Sequence, residues 1–457
     1  MFRTRPILTL LSYIRSNATL SLFVLRNSIG ELNGYELQLK GGGTTPFARG
    51  ADGRAVLRSS IREFLASEAM WYLGVDTTRA LSLVVSDSDT AQRPWYSGGS
   101  ALEVPSADDP RLAQYTPAQQ QQILQRARNK KADPNIMITE KMAITCRVSK
   151  SFVRIGHIDL FSLRAERASQ KNKKERFDQT TNEWKELEEI IWHACYREFK
   201  TTAYDPFIGD KNLGEAAAVL LEESAERLAA MVAGWIRVGF AQGNFNADNC
   251  LVGGRTMDYG PFGWMEEYNP LFAKWTGSGE HFGFFNQPGA GYANYVVLVE
   301  SVAPVIAAAR GDKSPDAVVE EFSARAQDIF QGHVDQAMRV KLGFDKEHEP
   351  SDTVWESLEP LMRNSRVDWT LFWRQLSYVM REFPDLESTE YASMLDTLSA
   401  DDSEREGSSP FYDALSEDFR KEWIQWIQQW RTALSAVGEP FESVFERMRT
   451  SNPSFPN

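Results

Sequence analysis

Asn249 and Asp258 stand on either side of Gly253-Gly254 in the stretch Asn244-Phe245-Asn246-Ala247-Asp248-Asn249-Cys250-Leu251-Val252-Gly253-Gly254-Arg255-Thr256-Met257-Asp258-Tyr259-Gly260. The short apolar runs Cys250 to Val252 and Thr256 to Met257, separated by a dipeptide suited to positive φ, read as a tight hairpin. Closing that turn brings the Asn249 amide and the Asp258 carboxylate together. Two hard oxygen ligands at one hairpin mouth suit Mg²⁺, which takes one or two protein oxygens and completes its octahedron with water and substrate phosphates. An Asp-Asn pair beside Gly-Gly also makes ordinary turns bonded to their own backbone. The metal reading therefore depends on what else the chain supplies.

Phosphate chemistry in a protein-kinase-like site needs a strand lysine on the nucleotide and a helix glutamate to hold it. Tyr35-Glu36-Leu37-Gln38-Leu39-Lys40 alternates apolar and polar residues as a half-buried strand does, and it runs into Gly41-Gly42-Gly43, where backbone can approach a ligand. Arg58 to Leu73 reads as a helix, with Ile61, Phe64, Leu65 and Ala69 at helical spacing, Ser59 or Ser60 as N-cap and Gly74 as stop. Glu63 is the candidate partner of Lys40, with Glu68 in reserve. Each feature alone is ordinary, since a strand-end lysine or a helix glutamate usually faces water. Their order and co-occurrence carry the reading.

A kinase base is missing. In the kinase catalytic loop a His-Arg-Asp triplet precedes the metal-binding Asn by a fixed interval, and its Asp takes the substrate proton. That place holds Gln242-Gly243-Asn244. The nearby carboxylate is Asp248, immediately before Asn249.

Glu36 to Gly41, Asp52 to Met70, Thr77-Thr78-Arg79-Ala80 and Asp258-Tyr259-Gly260-Pro261-Phe262-Gly263 resemble the selenoprotein O family, over roughly residues 35 to 450. The resemblance implies an α+β, protein-kinase-like bilobal fold with a largely helical C-lobe, described as a pseudokinase. It implies transfer of AMP from ATP to Ser, Thr or Tyr hydroxyls of other proteins, with Mg²⁺ or Mn²⁺ on Asn249 and Asp258. It gives Asp248 the base role and places Lys40, Asp52, Gly53, Glu63, Arg147, Arg154 and Asp258 at the nucleotide. AMP transfer needs the nucleotide reversed relative to a kinase, with the β,γ-phosphates buried, and buried phosphate favours arginine, which stays charged and pairs bidentately.

Two departures accompany the resemblance. The glycine-rich segment that the family carries before the lysine strand is represented by Asn17 to Gly34, with only Gly30 and Gly34, and the chain stops at Asn457 where the family continues. These departures support a second reading, a catalytically impaired nucleotide-binding pseudokinase or scaffold without its glycine-rich loop. An ordinary kinase is a third reading, which Gln242-Gly243-Asn244 opposes.

The elements that must position these residues divide into 1–30, a transit peptide or divergent N-terminus; 31–155, a kinase-like N-lobe; and 156–457, a mostly helical C-lobe holding the metal site. Arg3, Arg5, Arg15 and Arg26 are the only charges before Glu31, a composition resembling a mitochondrial transit peptide; the other expected location is the cytoplasm. Arg15 and Asn17 interrupt the apolar run, so no membrane insertion is expected. With 457 residues, 42% hydrophobic, the chain can bury a large core, and a net charge of -13 argues against nucleic acid as partner. Three widely spaced cysteines point to buried thiols in a reducing compartment. Glu215 to Phe240 reads as a core helix, and Trp423, Trp426, Ile427 and Trp430 fall on one helical face. Gly277 to Tyr295 occupies the place of an activation segment.

Overall fold

The computed structural model describes residues 19–26, 32–44, 52–95, 120, 135–171, 176–274, 280–311, 314–345, 349–401 and 409–452. Residues 1–18 of the expected transit segment, and Gly30 ahead of the lysine strand, lie outside the described residues. The fold is α+β. Strands β1 (Thr19–Arg26), β2 (Leu32–Lys40), β3 (Ala55–Val56), β4 (Arg79–Trp95) and β5 (Ile136–Ser149) form one antiparallel sheet, with β2 and β3 along one edge of β5, β4 along the other, and β1 on β2.

The register of β2 on β5 determines what the sheet presents. Glu36 faces Ser149, Gln38 faces Arg147 and Lys40 faces Thr145. Directly opposed residues share a sheet face. Glu36, Gln38, Thr145, Arg147 and Ser149 are all buried, so the alternation in β2 buries its polar side while Tyr35, Leu37 and Leu39 are only half-buried.

Helix α1 (Leu57–Tyr72) covers this polar face and corrects the sequence expectation. Its buried stripe is Ser60, Glu63, Ala66, Ser67 and Met70, whereas Ile61 and Leu65 are exposed. The helix starts earlier than expected, its N-cap is Val56, and the Ser59 hydroxyl donates back to the Val56 carbonyl at 2.9 Å. A helix facing a polar sheet must turn polar side chains inward, and that requirement overrides the apolar periodicity.

The remaining chain is mostly helical. Helices α2 (Ile155–Lys171), α3 (Asn182–Glu198) and α4 (Leu213–Arg237) are followed by β6 (Phe240–Gln242) and β7 (Phe262–Trp264), which pair antiparallel. The Thr181 and Asn212 side chains cap α3 and α4 by accepting from the N–H of Trp184 and Glu215. Helix α4 is the expected core helix, with Leu220, Leu221, Leu228, Val232 and Ile236 fully buried. Helices α5 (Gln287–Arg310) and α6 (Pro315–Leu342) pack on it. By length and composition α5 could cross a membrane. Leu298, Val299, Val302 and Ile306 are fully buried within the protein core, as expected for a predominantly apolar core helix.

A second core joins α7 (Glu349–Asn364), α8 (Trp369–Glu382), α9 (Tyr391–Ser399), α10 (Glu417–Val437) and α11 (Phe441–Ser451). Trp423, Trp426, Ile427 and Trp430 lie buried on one face of α10, as their spacing predicts. The segment after β7 is tied to this module: Tyr268 N–H donates to the Val367 carbonyl at 2.7 Å and Trp369 N–H to the Glu266 carbonyl at 2.8 Å. Phe284 is buried and its ring meets Trp369, so the described part of the activation-segment region packs onto the helices. Lys341 is also buried, donating to the Arg237 carbonyl at 2.9 Å over the Trp373 ring. Cys146, Cys195 and Cys250 are free and buried, and burial raises all three thiol pKa values.

Candidate active site

Four charges meet where the polar face of the sheet reaches the hairpin. Lys40 Nζ lies 2.5 Å from Glu63 Oε2 and 2.8 Å from Asp258 Oδ1. Arg147 Nη1 lies 3.3 Å from Glu63 Oε1 and 3.8 Å from Asp258 Oδ1, and donates to the Met257 carbonyl at 2.9 Å, while Nη2 donates to Gln38. Burial pulls the Lys40 pKa down, but Asp258 and Glu63 outweigh it and raise the pKa. For Asp258 burial pushes upward, yet Lys40 and Arg147 prevail and hold its carboxyl at about 2. Both groups are therefore charged at neutral pH. Glu63 and Arg147 are buried and Lys40 and Asp258 partly so, and two cations against two carboxylates keep their charge there because every member is paired.

The hairpin closes as its sequence predicts, through a single pairing of Cys250 with Thr256. Gly254 adopts φ +64°, and a Cβ there would run into the Arg227 backbone. Asn249 and Asp258 lie just beyond the paired residues on the two arms. Asn249 Nδ2 donates to the Asn244 carbonyl at 2.9 Å. With its amide nitrogen so engaged, Oδ1 is the Asn249 atom left to meet a cation.

Asp248 is exposed, in a short 3₁₀ turn (Ala247–Asn249) whose N-terminus is capped by the Asn246 side chain, 3.1 Å from Asp248 N. Arg154 Nη1 donates to the Asp248 carbonyl at 3.0 Å. A Cβ on Gly156 would stand 2.6 Å from Asp248 Oδ1, so the missing side chain makes room for that carboxylate. Burial, with Arg147 nearby, lowers the Arg154 pKa to about 10, which still leaves a cation at neutral pH. His157 Nδ1 accepts from Arg154 N–H at 3.2 Å, the reciprocal half of a capping box at the start of α2.

Asp52 and Gly53 stand outside this cluster. The Asp52 carboxylate takes two hydrogen bonds from Arg93, at 2.9 and 3.1 Å, and one from Arg54 N–H at 3.0 Å. The Gly53 carbonyl accepts from Gly43 N–H at 3.1 Å, so the glycine run after Lys40 pairs with the chain returning into β3.

Sequence reasoning missed Gln38, Thr77, Tyr259 and Gln242 as parts of this site. The hydroxyls of Thr77 and Tyr259 lie 2.5 Å apart, both buried, and Thr77 also donates toward the Thr256 carbonyl at 3.1 Å. Tyr259 directly follows Asp258, a position from which its role could have been inferred. Gln242 opens the triplet that lacks the kinase acid.

The donor set fits a magnesium ion. Among the described residues no three His, Cys, Asp or Glu side chains cluster as a metal cage. Mg²⁺ asks instead for one or two hard oxygens beside phosphates and water, which the Asn249 amide and the Asp258 carboxylate supply.

Comparison with known proteins shows the family to which the chain belongs. The family model described as protein adenylyltransferase SelO matches residues 19–100 and 126–456. Relatives named protein nucleotidyltransferase YdiU include that of Rhodopirellula baltica, 31% identical over 432 residues, covering 92% of this chain and 66% of that protein. The Xanthomonas axonopodis protein is 32% identical, covering 94% of this chain and 68% of its own length. That of Aromatoleum aromaticum is 33% identical, with coverages of 81% and 58%. The chain thus spans between 58% and 68% of the length of these relatives.

Proposed function

Because this chain belongs to the SelO family, we propose that it is a protein adenylyltransferase with a protein-kinase-like bilobal fold, moving AMP from ATP to Ser, Thr or Tyr hydroxyls of other proteins. The observation that carries the reading is the partly buried Lys40–Glu63–Arg147–Asp258 cluster beside a loop whose carboxylate is Asp248. In this reading Lys40, Arg147 and Arg154 bind the phosphates. Asn249 and Asp258 hold Mg²⁺, or Mn²⁺, which when bound supplies positive charge against phosphate oxygens. Asp248 takes the proton of the acceptor hydroxyl as that oxygen bonds the α-phosphorus and the bond to the β-phosphate oxygen breaks, releasing pyrophosphate. Its exposure suits a base that must reach a side chain arriving from another protein.

Incubation with Mg²⁺ and ATP labelled at the α- or the γ-phosphate tests this. Protein-bound label from the α-position alone supports adenylyl transfer, and γ-label makes the protein a kinase. A second reading, a nucleotide-binding scaffold, is favoured by the engagement of Asp52 with Arg93. ATP binding with no label transferred to any acceptor is its signature.

A further inference from the structure

We propose that Gln242 is a positioning residue that sets the placement of Asn249 relative to Asp258, and through them the affinity for the divalent cation. The inference rests on the reading that these two residues hold the metal. Gln242 ends β6 and is 2% exposed. Its Nε2 donates to the Asp258 carbonyl at 3.3 Å, and its Oε1 accepts from Asn244 N–H at 2.6 Å. The Asn244 carbonyl in turn accepts from Asn249 Nδ2. Three hydrogen bonds therefore join the backbone of Asp258 to the side chain of Asn249. None of them uses Asn249 Oδ1 or the Asp258 carboxylate, the oxygens that would face a cation.

The relay is anchored at its far end. Gln242 N–H donates to Gln287 Oε1 at 2.8 Å, and the fully buried Gln287 donates through Nε2 to the Phe240 carbonyl at 2.9 Å and the Phe284 carbonyl at 3.1 Å. A buried amide with both ends engaged has one satisfactory orientation, because rotating it sets oxygen against the Asp258 carbonyl and a donor against Asn244 N–H. Gln242 thus does two jobs that no apolar residue of its size can do. It fixes the start of the Asp258 segment, and it fixes the carbonyl that orients the Asn249 amide.

Binding of Mn²⁺, followed by its paramagnetic resonance signal in the presence of a non-hydrolysable ATP analogue, reads this directly and needs no turnover. Gln242→Met keeps length and burial but makes neither bond; Gln242→Glu keeps an acceptor for Asn244 N–H and sets an oxygen against the Asp258 carbonyl. Both variants should bind Mn²⁺ about tenfold more weakly, in the range seen when outer groups around metal ligands are removed. Gln242→His, which can donate and accept, should recover most of that loss. Wild-type affinity in Gln242→Glu overturns the proposal, and so does wild-type affinity in Gln242→Met. Absence of Mn²⁺ binding by the wild-type chain overturns it as well, together with the metal assignment. If the wild type transfers no AMP yet the variants still lose Mn²⁺ affinity, the functional reading fails and this inference stands.

Discussion

Lys40 and Asp258 are 218 positions apart in the chain and 2.8 Å apart in space, and each keeps the other charged inside the protein. Removing the carboxylate leaves Lys40 and Arg147 sharing Glu63 alone. Asp258→Asn should lower AMP transfer at least 100-fold, the scale of losing one preorganised charge at a phosphoryl site. Incorporation of α-label measures it, and activity within a fewfold of wild type would remove Asp258 from the mechanism.

Asp248 makes a different prediction because it lies outside the four-charge cluster and is exposed. Asp248→Asn should reduce kcat by about 10²- to 10⁴-fold, the usual value of general base catalysis, while KM for ATP stays close to wild type. Steady-state kinetics separates the two parameters. A rise in KM with kcat preserved would assign Asp248 to nucleotide binding.

The Thr77–Tyr259 contact predicts an asymmetry between two small deletions. Thr77→Val removes the close partner of the buried Tyr259 hydroxyl and leaves it the Thr256 side chain alone, and should cost about 1–3 kcal/mol, whereas Tyr259→Phe leaves Thr77 its bond to the Thr256 carbonyl and should cost about 1 kcal/mol. Urea unfolding of both variants decides it. The opposite order of costs would show that the pair is not the dominant partner of either hydroxyl.

Lys341 offers a route to a more stable chain. Burial, with Arg237 nearby, pushes its pKa well below 10.5, so between the folded and the unfolded pKa the unfolded chain binds a proton that the folded chain does not. Folding then releases a proton, and the penalty shrinks as pH rises toward the unfolded value. Lys341→Met should stabilise the protein by about 1–2 kcal/mol near pH 7, with the gain fading toward pH 10. Thermal melts of wild type and variant across that range give the test, and a pH-independent difference would contradict it.

Some of this site was legible in the chain and some was not. Lys40, Glu63, Asn249 and Asp258 announce themselves because strand alternation, helical spacing and a Gly-Gly turn are local signals. The partners of Arg147 are not local: Gln38 lies 109 positions away and Met257 lies 110. Nothing in the spacing of either residue marks the contact. The face of α1 was misread because apolar periodicity assumes an apolar neighbour, and the neighbour here is a sheet face bearing Gln38, Lys40 and Arg147. The resemblance places Asp52 at the nucleotide, and its pairing with Arg93 of β4 is another contact that no local spacing marks.

The burial of the thiols turns the chain into its own reporter of motion. Cys146 precedes Arg147, Cys250 follows Asn249, and Cys195 sits in the body of α3, its sulfur near the Ala216 carbonyl at 3.6 Å. A thiol reagent can modify each only as often as its surroundings open. The labelling rate at Cys146 and Cys250, set against that at Cys195, therefore separates breathing around the candidate site from unfolding of the helical body, without a single engineered probe.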